Sequence, residues 1–193
     1  MSIIPKALFT PEEYLLMERN AQAKSELHGG EIFAMTGASR SHNLIALNIA
    51  AAFHEALRDE PCEVYMGDMR VKVTPSDYVY PDVAVSCGEP LFEDTWLDTL
   101  LNPLVVVEVL SPSSQCYDRG DKFLLYRALP SMQCYVLASQ TRMHVEVFER
   151  REGHWLYTEQ INPNGEVYIR AIRRSFCLDT FYRKVPLRGF HNV

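Results

Sequence analysis

Along most of this chain the apolar residues come in short runs, some alternating with polar ones and some unbroken, and only a few stretches carry helical spacing. Thr10-Pro11-Glu12-Glu13 combines an N-cap residue, a proline in the first turn and a glutamate three residues after the cap, so a short helix is predicted to about Asn20. Gly29-Gly30, set between two apolar-containing runs, predicts a hairpin. After a loop at 37–40, Leu44, Leu47, Ala51 and Leu57 mark a long amphipathic helix capped by Ser39 or Ser41. Strands are expected at 62–66, 69–73, 81–85 and 104–110, with a turn at 75–77 and a polar loop running to Asn102. A helix follows from about Asp118 to Leu129 and is stopped by Pro130. The last third reads as strands at 133–138, 143–148, 155–159 and 167–170. In 143–147 the alternation is regular enough to expect one solvated face. The sum is an α/β (α+β) chain with a mixed sheet and helices packed on it.

The most apolar run, Leu104-Val105-Val106-Val107-Glu108-Val109-Leu110, lies between Pro103 and Ser111-Pro112 and reads as a strand buried on both faces. Glu108 stands in its middle. A carboxylate there costs several kcal/mol or more unless a cation compensates it. Asp82 sits at the start of another apolar strand and Lys122 at the start of the next helix. Two neighbouring strands could bring Asp82 and Glu108 to one sheet edge. Such a pair suits Mg²⁺, with Mn²⁺ as a substitute, because both ions take oxygen ligands. An ion so held polarises a phosphodiester and makes an attacking water more acidic. Blander roles compete: Asp82 capping a turn after Pro81, and Glu108 pairing with an arginine.

Composition narrows these options. One domain, 1–193, is the default for 193 residues. Hydrophobic content of 47% and charged content of 23% are ordinary for a globular chain. No window approaches a membrane span, and Met1 to Lys6 lacks the apolar region of a secretory signal, so a cytoplasmic protein is expected. Cys62, Cys87, Cys116, Cys134 and Cys177 are scattered and odd in number, which argues against a disulfide framework or a zinc site; Cys62, Cys87 and Cys134 read as small core residues. The net charge of −6 counts against a protein that coats DNA non-specifically, yet suits a site of clustered carboxylates that a metal ion would balance.

Other side chains carry two readings each. Lys122 follows Asp118 by four residues, as in a common surface ion pair, but near a metal it would orient water or offset transition-state charge. Tyr126 extends the same face and could simply pack. Glu26, just before Gly29-Gly30, is on local grounds a solvated strand-end acid. His42 could contact a phosphate or merely begin the long helix. Arg70 and Lys72 share a strand face and would either touch a nucleic-acid backbone or solvate the sheet.

The runs Ser25-Glu26-Leu27-His28-Gly29-Gly30-Glu31-Ile32, Met35-Thr36-Gly37-Ala38-Ser39-Arg40-Ser41-His42-Asn43, Gly67-Asp68-Met69-Arg70-Val71, Tyr80-Pro81-Asp82-Val83, Val107-Glu108-Val109-Leu110-Ser111-Pro112-Ser113 and Tyr117-Asp118-Arg119-Gly120-Asp121-Lys122-Phe123 resemble the Uma-type restriction endonucleases, a branch of the PD-(D/E)XK nuclease superfamily. The resemblance extends from about Phe9 to Phe181. It implies a restriction-endonuclease-like core, a mixed central sheet flanked by helices, and Mg²⁺-dependent hydrolysis of DNA. By position it implies that Asp82 and Glu108 are metal ligands, Glu26 an additional catalytic acid and Lys122 the catalytic ammonium. Leu110 stands where the superfamily's simplest pattern has its lysine, and Lys122 on the following helix would replace it. A homodimer suits the cutting of both duplex strands, and the sequence leaves it open. The competing reading is an inactive nuclease-fold module that binds DNA or regulates; a hydrolase of small phosphate esters is weaker, since no glycine-rich phosphate loop is present.

Overall fold

The computed structural model describes residues 8–35 and 37–187. In chain order the elements are α1 (Pro11–Glu18), β1 (Ser25–His28), β2 (Glu31–Ala34), α2 (Arg40–Ala56), β3 (Cys62–Met66), β4 (Arg70–Thr74), β5 (Asp77–Val79), β6 (Val83–Cys87), β7 (Thr99–Leu100), β8 (Val105–Leu110), α3 (Gln115–Arg119), α4 (Asp121–Ala128), β9 (Cys134–Ser139), β10 (Val145–Arg151), β11 (His154–Gln160), β12 (Glu166–Ile169), β13 (Arg174–Cys177) and α5 (Leu178–Phe181). Local signals act as the sequence suggests. Thr10 and Glu13 form a reciprocal capping box at α1. Ser39, rather than Ser41, caps α2 by accepting from the His42 N–H.

Three sheets form: a six-stranded one in the order β11-β10-β9-β8-β6-β3, a five-stranded one in the order β2-β1-β5-β4-β7, and the pair β12-β13. In the large sheet β8 and β9 run parallel, and β8 is antiparallel to β6. Every residue of β8 is buried, because both faces of the sheet are covered. Val105, Val107 and Val109 pack with Ile45, Ile49 and Phe53 of α2. Val106 and Leu110 pack on the other side with Phe123 and Tyr126 of α4. Alternation along the strand therefore aims Glu108 at α4, into the layer between the large sheet and the smaller one.

Several expectations are corrected. The helix expected from about Asp118 to Leu129 is broken at Gly120, whose φ of −108° and ψ of −101° are non-helical; Asp118 ends in α3 and Lys122 in the first turn of α4. The loop before Asn102 contributes β7, which pairs parallel with β4, and the expected turn at 75–77 leads directly into β5. The regular alternation at 143–147 does not leave its polar face in solvent. Glu146 is buried because Arg119 reaches across and pairs with it at 2.5 Å. Finally, Cys62 and Cys87 form a disulfide, contrary to the expectation of thiols only. Scattered in sequence, they are directly opposed in the register of β3 and β6. Cys134 is buried as expected.

Candidate active site

The register of β6 and β8 places Val83 opposite Val107, so Asp82, one residue before β6, faces Glu108 across the pair. Asp82 is fixed by its Oδ2, which accepts the Val109 N–H at 2.7 Å and lies 3.1 Å from His42 Nε2 at the start of α2. Glu26 comes from the smaller sheet. It is buried in β1, and its Oε1 accepts the Tyr80 N–H at 2.9 Å. The segment joining β5 to β6 thus carries both the donor that holds Glu26 and the acid Asp82.

Lys122 closes the set. Its Nζ lies 3.1 Å from Glu26 Oε1 and 3.0 Å from Glu108 Oε1, and donates to the Tyr80 carbonyl at 3.3 Å. Tyr126, one turn further along α4, donates its hydroxyl to Glu108 Oε1 at 3.0 Å. Glu26, Asp82, Glu108 and Lys122, far apart in sequence, therefore converge. Asp118 joins them: it is buried, and its charge acts on both Glu108 and Lys122.

The electrostatics follow from this crowding. Burial pushes the Glu108 carboxyl well above the usual range; Lys122 opposes that, while Asp82, Asp118 and Glu26 reinforce it. Burial alone would strip the Lys122 proton, but Glu108, Glu26 and Asp118 outweigh it and hold the ammonium above its ordinary value. Asp118 is raised by burial, against the pull of Lys122. Lys122 thus compensates Glu26, Glu108 and Asp118, while Asp82 is met by His42.

Carboxylate oxygens are the donors a hard divalent ion takes, so in chemistry Glu26, Asp82 and Glu108 fit Mg²⁺ or Mn²⁺. As positioned, no three His, Cys, Asp or Glu groups among the described residues stand at metal-holding spacing. The Lys122 ammonium instead bridges Glu26 and Glu108. The closest approaches to each acid fall on a single oxygen: Oε1 of Glu26, Oδ2 of Asp82 and Oε1 of Glu108.

Two substrate-contact expectations change. Arg70 does not face solvent. It is 2% exposed, donates to Thr99 and Tyr80, and lies 3.0 Å from Asp98. It cannot meet a phosphate backbone there, because the rings of Tyr14 and Tyr80 lie over its guanidinium. Lys72 is likewise engaged, 2.6 Å from Glu93. His42 is turned to Asp82, so it reaches the acid cluster itself. Two residues gain importance. Tyr126 and Asp118 both lie four residues from Lys122, a spacing that marks them as neighbours, but nothing in the sequence shows that Gly120 would bury Asp118.

Residues 11–179 match the Uma2 family, described as "Putative restriction endonuclease", and the chain belongs to that family. Two proteins of Synechocystis sp., both named as uncharacterized, are similar to it. The protein slr1290 is 35% identical over 93% of this chain and 94% of its own length. The protein sll1609 is 36% identical over 86% of this chain and 96% of its own length. A crystal structure of a "putative nuclease belonging to DUF820" from Anabaena variabilis superimposes with a TM-score of 0.74, at 15% identity, over 90% of this chain and 97% of that one. The mixed sheets flanked by helices are therefore the fold of that protein. Among the described residues no helix is long and apolar enough to cross a membrane.

Proposed function

We propose that this protein is a metal-dependent endonuclease that hydrolyses DNA phosphodiester bonds at the Glu26–Asp82–Glu108–Lys122 cluster. One observation carries the reading: one buried lysine bridges Glu26 and Glu108 from separate segments, and Asp82 faces Glu108 across the β6–β8 pair, within a family described as restriction endonucleases. Asp82 and Glu108 would hold Mg²⁺ or Mn²⁺, with Glu26 as a further acid. A bound divalent ion supplies Lewis-acid polarisation of the phosphoryl oxygen and a more acidic water.

The chain's own groups prepare the site. The Val109 N–H and His42 fix one oxygen of Asp82, and the Tyr80 N–H fixes one oxygen of Glu26. Tyr126 holds Glu108 against rotation. Lys122 keeps the buried acids compensated before an ion enters. Once substrate is bound, its ammonium offsets charge on the phosphoryl oxygens, which is electrostatic stabilisation by a group already in place. No lysine two residues after Glu108 is needed, since Leu110 packs in the core and Lys122 reaches the same carboxylate from α4.

Nicking of supercoiled plasmid tests this. Wild-type protein is expected to nick only with Mg²⁺ or Mn²⁺, and Glu108→Gln to lose the activity. Nicking that survives Glu108→Gln would remove the site as described. DNA binding without turnover under any divalent ion would favour the binding-only module, to which the absence of a ready metal-holding triplet among the described residues also points.

A further inference from the structure

A cluster of arginines lies away from the carboxylates. Two concavities share the β10–β11 hairpin: one of about 520 Å³ between it and the C-terminal end of α4, the other of about 540 Å³ between it, Gln133 and Arg170. Both are lined by Arg150, Arg151 and His154; Arg127 lines one and Arg170 the other. This is a chain of net charge −6. Among the described residues only Arg151 of these four arginines has an acidic partner, Glu149.

The arginines divide into fixed and available groups. Arg150 is structural: it donates to the carbonyls of Met132, Arg127 and Leu129 at the end of α4 and lies over the Trp155 ring at 4.9 Å. Arg127 is exposed, its guanidinium resting over the Phe123 ring at 5.6 Å. Arg170 is exposed and holds Glu149 only through its backbone N–H. Glu152 also lines the second concavity, but Arg127 and Arg170 have no carboxylate partner among the described residues, and such guanidiniums suit phosphate oxygens, which they can meet with two parallel hydrogen bonds.

The sheet register sets the distance to the acid cluster. Glu108 is level with Leu137 of β9, and Arg150 lies one step beyond the Glu149–Cys134 pair. Arg150 is therefore four residues along and two strands across from Glu108, about 13 Å by about 10 Å at ordinary strand dimensions. That interval exceeds the reach of one phosphate and suits a polymer carrying many.

We propose that this arginine-lined concavity is a second nucleic-acid contact, gripping the phosphodiester backbone of a duplex several nucleotides from the bond presented to the carboxylates. It rests on the nuclease reading for the identity of the polyanion, but its test does not depend on cleavage. Binding of a short fluorescent duplex is measured by anisotropy against salt, in EDTA, for wild type, Arg127→Ala/Arg170→Ala and Arg127→Lys/Arg170→Lys. The alanine pair is expected to weaken binding on the order of tenfold, with the salt slope reduced by about one for each phosphate no longer neutralised. The lysine pair should retain most of the wild-type slope, even if no variant cleaves DNA. Unchanged affinity and slope in the alanine pair, with its melting temperature intact, overturn the proposal. So does displacement of the duplex by equimolar pyrophosphate, which would make this a small-anion site.

Discussion

Replacing Lys122 with methionine removes the one ammonium that bridges Glu26 and Glu108 while keeping most of the side-chain volume. Both ion pairs are close, 3.1 and 3.0 Å, and both partners are buried. Removing one partner of a buried pair costs about 3–5 kcal/mol, because the other charge is left uncompensated. For a chain of this length each kcal/mol moves the melting temperature by about 2–4 °C, so a fall of about 6–20 °C is expected. The loss must also depend on pH. Burial raises the folded-state value of Glu108 above its unfolded value. Its protonated form therefore contributes stability that is complete below the unfolded value, about 4.3, and is lost as pH rises through the folded one. Without Lys122 that folded value climbs further. The variant's deficit, read from urea unfolding, should accordingly be larger at pH 8 than at pH 5, and Glu108→Gln added to Lys122→Met should recover part of it. A loss below about 1 kcal/mol at both pH values, the range of exposed pairs, would refute the burial and pairing on which the argument depends.

Other consequences are as specific. Tyr126→Phe deletes a hydroxyl donated to Glu108 and should cost about 1.5–3 kcal/mol in urea unfolding; a loss near zero would mean that bond is not formed. Replacing both Cys62 and Cys87 with alanine opens a cross-link over a separation of 25 residues, which the chain-entropy relation values at about 3.5 kcal/mol. Reductant should then lower wild-type stability by a similar amount and leave the double variant unmoved; equal insensitivity of both would contradict the disulfide. Arg19, helped by Arg70 and against the effect of burial, holds the Asp98 carboxyl well below its usual value. Its contribution is present above the unfolded value, about 3.9, and is lost as pH falls through the folded one, so Asp98→Asn should flatten the acid limb of the stability curve, and an unaltered limb would count against the clasp.

Much of this fold is legible in the sequence for local reasons, but the acid cluster is so only in part: Glu26 reads locally as a solvated strand-end acid, and only the family resemblance groups it with Asp82, Glu108 and Lys122. The capping box at Thr10, the Gly29-Gly30 turn and the unbroken run around Glu108 each state their structure within a few residues. A charge in the middle of a doubly buried strand also announces that a partner exists. What the sequence does not announce is decided by pairing between distant segments. Cys62 meets Cys87 only because β3 and β6 align in that register. Arg70 alternates like a surface residue but lies under the Tyr14 and Tyr80 rings and donates to Thr99 of β7, a two-residue strand inside an apparently polar loop. Glu146 is polar and regularly placed, yet Arg119 buries it from another element. Gly120 carries no local sign that one helix would become two.

The central claim is that Asp82 and Glu108 act together as ligands of one divalent ion. Calorimetric titration with Mn²⁺ tests it most directly, using wild type, Asp82→Asn and Glu108→Gln, each shown to be folded. Saturable binding in the wild type, weakened tenfold or more by either substitution (about 1.4 kcal/mol or more), is the predicted result. Equal affinity in all three proteins, or no binding by the wild type at millimolar Mn²⁺, would contradict it.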